Sequence, residues 1–230
     1  AGFFAQSVFI VYHQPSPATP YGSLLLLSWM LAFFYFYDTL HHAKQAWAVF
    51  LLPVVIGLVG LSLLLGSGNE TPVDLPQWLS GDRFWGGVHG ALILFASVGI
   101  SVAFLASVMY LIQARRVRNK VNPARVVPLL SLERLEAMNR HAINAAFPLL
   151  TAGLLVGSLL LKHEQGTAEN WLSIKVLSTA GLWVVFLVLL YLRYGTSVPA
   201  RRLASLSIIA FGLLLVALIA SHPFVAGEGR

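Results

Sequence analysis

The chain has 230 residues, 57% hydrophobic and 10% charged, with a formal net charge of +6 and no cysteine. A soluble domain of this size carries ~25% charged residues, so the composition is that of an integral membrane protein. The lack of cysteine excludes a disulfide framework, thiol redox chemistry, a thiolate metal site and covalent cofactor attachment through a CxxCH motif.

The opening AGFFAQSVFIVY is too short to span a bilayer and reads as the outer half of a helix that begins before the given chain. HQPSPATP holds three prolines and reads as a loop on the outer face. YGSLLLLSWMLAFFYFY is the first complete span, closed by Asp38, His41, His42 and Lys44. A second span covers about residues 46 to 65, with Pro53 as an expected kink. GSGNETPVDLPQWLSGDR is a polar, acidic outer loop.

Phe84 to Gln113 is the stretch around which the rest is organised. It has the length of one crossing with a little to spare, holds no formal charge, and carries His89 beside Gly86, Gly87 and Gly90. Those glycines open the backbone to another helix or a flat ligand. The plainer reading is a tight helix contact with the histidine satisfied by a neighbouring carbonyl. The QARRVRNK run that follows places this end on the cytosolic side by the positive-inside rule.

After a cytosolic segment over 114–130, Ser131 is an expected N-cap with Glu133 in the first turn. Leu132, Leu135 and Met138 then form a short amphipathic face opposite Glu133, Arg134, Glu136 and Arg140. It leads into a fourth span over about 142–161, interrupted by Pro148 and eased by Gly153 and Gly157, which are expected to pack on a neighbouring helix. Beyond the outer loop KHEQGTAENW, a fifth span covers about 172–192. A basic turn holds Arg193, Arg201 and Arg202, and a sixth span covers about 203–221.

Charge agrees with this alternation. Of the Lys and Arg residues, only Arg83, Lys162, Lys175 and Arg230 fall outside, whereas six of the nine acids do. The expected fold is all-α, a polytopic transmembrane helical bundle of about six complete spans plus a truncated N-terminal one. It forms a single domain over residues 1–230, in the bacterial inner membrane with the C-terminus outside. Lipid is the expected surroundings, and no nucleic-acid motif accompanies the basic residues.

Ionisable groups at membrane depth are costly and tend to be functional, so the histidines are the informative residues. Topology places His13, His89, His163 and His222 in an outer layer and His41, His42 and His141 in an inner one. Two imidazoles facing each other are a common way to hold a haem iron from both sides. Asp38 with His41 and His42 fits a metal or proton site, or a solvated helix C-terminus whose cations complement the dipole. The spans hold no nucleophile–base pair, phosphate loop or central acid, so no enzymatic activity is expected.

Several stretches together resemble a known family. YGSLLLLSWMLAFFYFY supplies Tyr21, Ser23 and Trp29; FWGGVHGALILFASVGISVAFLASVMYLIQARRVRNK resembles a histidine-bearing helix with a basic exit. SLERLEAMNRHAINAAFPLLTAGLLVG resembles the family's SLERLE…GFPLLT segment, and SHPF its closing His-x-Phe. These are similar to the membrane cytochrome c assembly superfamily, the haem-handling proteins of cytochrome c biogenesis, and most to its HemX-like branch. The resemblance implies about eight spans and a non-covalent haem b with His89 and His222 as axial ligands. Trp85, Trp171 and Phe224 are the implied ring contacts, and a membrane protein or cytochrome complex the implied partner. One feature departs: where the family has a tryptophan-rich outer loop ending in Trp-Asp, ENWLSIKVLSTAGLW keeps Trp171, Lys175 and Trp183 but has Leu172 and Ser173 in place of that pair. The alternative is therefore an accessory structural subunit of a respiratory or photosynthetic complex, built on the same fold without haem.

Overall fold

In a computed structural model, residues 22–41, 48–65, 82–120, 130–163, 174–196 and 198–220 are described, and all their regular structure is helical. The helices are α1 (Gly22–His41), α2 (Ala48–Leu65), α3 (Asp82–Arg118), α4 (Leu132–His163), α5 (Ile174–Gly195) and α6 (Ala200–Ala220). Among the described residues four stretches are long and apolar enough to cross a membrane: Phe84–Arg118, Leu132–Leu160, Val176–Gly195 and Ala200–Ile219. The expected complete spans in α1 and α2 correspond to the shorter apolar stretches Gly22–Phe36 and Phe50–Leu65. The chain is a multi-pass membrane protein, a bundle of helices.

The central helix is α3, which packs against α4, α6, α1 and α2, while α5 completes the bundle against α6 and α4. It is 37 residues long. At 1.5 Å per residue that is ~55 Å, far beyond the ~30 Å hydrocarbon core. The helix therefore continues through the basic run to Arg118, where Arg115, Arg116 and Arg118 complement the negative end of its dipole. Two backbone bonds close it, Asn119 N to Arg115 O at 3.0 Å and Lys120 N to Val117 O at 3.1 Å. Lys120 then turns the chain out in the left-handed region with φ 50°.

The expected N-cap of α4 is present: the Arg134 N–H donates to Ser131 Oγ at 3.3 Å. The amphipathic segment and the fourth span, read as two pieces, are one uninterrupted 32-residue helix that runs through Pro148. A proline removes one N–H from the helical ladder, and its neighbouring turns carry the helix across that gap. Likewise α2 runs through Pro53.

Small residues bring α3 and α4 together. A β-carbon at Gly99 would lie 2.9 Å from Ala146 Cβ and 3.2 Å from the Ala142 carbonyl oxygen, so the two backbones meet here. Buried serines on α3 spend their hydroxyls on their own helix: Ser97 donates to Ile93 O, Ser101 to Ser97 O and Ser107 to Ala103 O, at 2.7–2.8 Å. Across the α3–α6 contact, Phe104 and Phe211 stack with centroids 4.2 Å apart.

Candidate functional site

His89 lies seven residues into α3, about two turns from its start, and is half-buried. Its Nδ1 stands 2.7 Å from the carbonyl oxygen of Gly153 on α4. A carbonyl oxygen only accepts, so Nδ1 carries the hydrogen, and in the neutral ring the lone pair belongs to Nε2. Gly157, one turn further along α4, lies directly against the ring. A β-carbon there would be 2.7 Å from Cε1 and 3.0 Å from Nδ1. The expected packing of Gly153 and Gly157 on a neighbour is thus found, and the neighbour is α3. At Gly153 a β-carbon would meet Ile93 Cδ1 at 2.7 Å and Leu92 Cβ at 3.5 Å.

The carbonyl contact of the plainer reading is therefore real, and it is compatible with metal ligation. Ligating histidines characteristically donate their other ring N–H to a carbonyl or carboxylate, which fixes orientation and raises ligand basicity. The donor chemistry at His89 fits one side of a haem iron. Four residues earlier on the same face, Trp85 is 53% exposed. Its ring meets Phe84 edge-on, with centroids 5.7 Å apart. Among the described residues nothing lies within 4 Å of a β-carbon at Gly86 or Gly90, so no described side chain covers this flank of α3. His222, Trp171 and Phe224, the remaining predicted site residues, lie outside the described residues. So does the second inner-layer candidate, since the side chains of Asp38, His41 and His42 are not described. Among the described residues no three His, Cys, Asp or Glu side chains group as a metal site.

Trp183, read as a remnant of the outer tryptophan loop, is instead part of the bundle interior. It stands nine residues into α5, ~13 Å along the helix, where Nε1 donates to Thr151 Oγ1 at 3.0 Å. Its ring stacks on Phe147 at 6.0 Å. A side chain committed in this way to the α4–α5 contact does not belong to an outer platform.

The most connected polar group was not anticipated. Asn139 is only 4% exposed and joins four helices near the basic end. Its Nδ2 lies 3.0 Å from Ala103 O and 2.8 Å from Ser107 Oγ on α3, and 3.0 Å from Ser207 Oγ on α6. Its Oδ1 accepts from Arg193 Nη2 on α5 at 2.8 Å. Among the described residues Arg193 Nη1 is buried with no hydrogen-bond partner, beside a cavity of about 10 Å³ lined by Ser107, Tyr110, Glu136 and Asn139, room for about one water molecule. Ser107 follows His89 by 18 residues on α3, so this hub and the histidine are ~27 Å apart along the helix. The signal was in the spacing: Asn139 sits four residues after Leu135, on the apolar stripe of α4. A polar residue on such a stripe implies a buried partner.

A family model described as Cytochrome C assembly protein matches residues 18–224. The chain belongs to the cytochrome c assembly protein family. The match spans all six helices and includes both His89 and His222, and it supports a role in cytochrome c biogenesis. It does not single out the HemX-like branch. No curated protein and no solved structure matches this family member.

Proposed function

We propose that this protein binds haem non-covalently at the histidine end of α3 and handles it in cytochrome c biogenesis, with His89 and His222 as axial ligands. The observation that carries this reading is the bond from His89 Nδ1 to the Gly153 carbonyl, which puts the lone pair of the neutral ring on Nε2, the nitrogen this reading uses for ligation. Haem, when bound, would supply the iron centre, and His89 and His222 would hold it. The chain's own part is to orient the imidazole between α3 and α4, to offer Trp85 and the glycine flank to a flat ring, and to shield the site within lipid. Trp171 and Phe224 are the further ring contacts of this reading. It requires no bond change by the protein itself, which works as a carrier rather than an enzyme.

The same reading puts the histidine end on the outer face of the bacterial inner membrane, with the C-terminus outside and the basic end in the cytoplasm. Its support is the charge asymmetry: exposed Arg115, Arg118, Arg134, Arg140, Arg201 and Arg202, with half-buried Arg116, all lie at or near the basic ends of their helices or in the adjoining turns. Its working partner is a membrane protein or cytochrome complex that takes haem on.

Purified protein titrated with ferric protoporphyrin IX tests the proposal. The expected result is a low-spin Soret spectrum in wild type that is lost in His89→Ala and in His222→Ala. A colourless protein that co-purifies in fixed stoichiometry with a larger complex would replace this reading with the accessory-subunit one.

A further inference from the structure

We infer that Gly157 and the backbone carbonyl of Gly153 are positioning groups for His89: α4 provides a seat that fixes the imidazole plane and selects Nε2 as the ligating nitrogen. The inference rests on the haem reading for its purpose, but its geometry stands independently. The carbonyl of Gly153 faces the N–H of residue 157 in the helical ladder and keeps a second lone pair, and His89 Nδ1 occupies that second position at 2.7 Å.

The two glycines are not equivalent. At Gly157 an added β-carbon meets three ring atoms, Cε1 at 2.7 Å, Nδ1 at 3.0 Å and Nε2 at 3.5 Å. The imidazole thus lies over the bare Cα, and no side chain larger than hydrogen leaves it there. At Gly153 an added β-carbon meets Ile93 Cδ1 at 2.7 Å, Ile93 Cγ1 at 3.2 Å and Leu92 Cβ at 3.5 Å, so the Ile93 side chain must shift, while the accepting carbonyl belongs to the backbone and survives substitution. A merely close-packed helix crossing would be damaged comparably by both changes. A seat is destroyed by one of them. Binding at Nε2 is then coupled to the α3–α4 contact, because the ring that ligates is the ring that α4 holds.

The test compares wild type, Gly153→Ala and Gly157→Ala in detergent, with ¹⁵N-labelled histidine and the His89 signals assigned by their loss in His89→Gln. In haem-free wild type and Gly153→Ala, neutral His89 is expected as the Nδ1–H tautomer. In Gly157→Ala the ring leaves the carbonyl and the Nε2–H form appears. On titration with ferric protoporphyrin IX, Gly157→Ala is expected to weaken binding about 10- to 100-fold, the usual effect of losing an outer-sphere partner, and Gly153→Ala by less than about threefold. An Nε2–H tautomer in wild type, or an unchanged tautomer in folded Gly157→Ala, overturns the seat. Should Gly157→Ala fail to fold, the wild-type tautomer still decides. An Nδ1–H tautomer in a protein that takes up no haem would uphold the seat and overturn the haem reading.

Discussion

Removing Asn139 should destabilise the bundle more than any other single polar deletion among the described residues, and the reason is Arg193. Asn139→Ala leaves Ser107 and Ser207 bonded to their own helices, through Ala103 O at 2.7 Å and Leu203 O at 3.1 Å, so the two serines lose little. The guanidinium loses the acceptor it holds at 2.8 Å, and its Nη1 already has no partner among the described residues. Hydrogen bonds to charged groups contribute ~1.5–3 kcal/mol in water-soluble proteins, whereas interhelical ones in membranes average ~0.6 and reach ~1.7 kcal/mol. A buried charged donor belongs near the top of the membrane range, so the coupling expected between the two side chains is ~1–2 kcal/mol. Asn139→Ala alone adds a small cavity and the lost contacts to Ala103 and Ser207, for ~2–4 kcal/mol in total. The assay is reversible unfolding in mixed detergent micelles for wild type, Asn139→Ala, Arg193→Met and the double variant. The charge that Arg193→Met removes from the end of α5 appears in both arms of the cycle and cancels. Single effects that add to within ~0.5 kcal/mol would show that the two side chains do not act together, and the hub as described would be wrong.

Three further outcomes follow from the packing and the charge pattern. Gly99→Leu should lower folded yield and melting temperature, because a β-carbon there meets Ala146 and the Ala142 backbone, whereas Gly212→Ala, with open space around it, should be neutral or stabilise by ~0.5–1 kcal/mol; equal melting temperatures for the two would refute the α3–α4 crossing. Ser131→Ala should cost about 1 kcal/mol through the lost cap on Arg134 N, read by the same unfolding assay, and no change would mean water replaces the serine. On this cysteine-free background, a cysteine placed at Ser67 should label only from outside the cell and one at Ser197 only from the cytosol; the reverse pattern would invert the proposed topology.

Much of the fold was legible because apolar runs and basic exits are local signals. The α3 span, the Ser131 cap and the packing of Gly153 and Gly157 all came from such signals. Hydropathy marks where lipid ends, however, not where a helix ends. So α3 outruns its apolar stretch to Arg118, and α4 continues without a break from its amphipathic first turns across Asn139, His141 and Pro148. The partners of buried polar groups were illegible, since Asn139 meets residues 32, 54 and 68 positions away. Arg193 looked like one more basic residue in a cytosolic turn because its acceptor is on another helix. His89 was found for the opposite reason: a histidine among glycines near the end of an uncharged apolar stretch is conspicuous in the sequence alone. Its partner, a backbone carbonyl, leaves no trace in side-chain identity.

We propose that His89 ligates haem through Nε2 from its seat on α4. The most direct measurement is low-temperature electron paramagnetic resonance of the ferric protein purified from cells that make haem normally. Ligation by two imidazoles should give a low-spin signal in wild type that becomes high-spin in His89→Ala. A low-spin signal unchanged by His89→Ala, or wild-type protein with no haem at all, would contradict it.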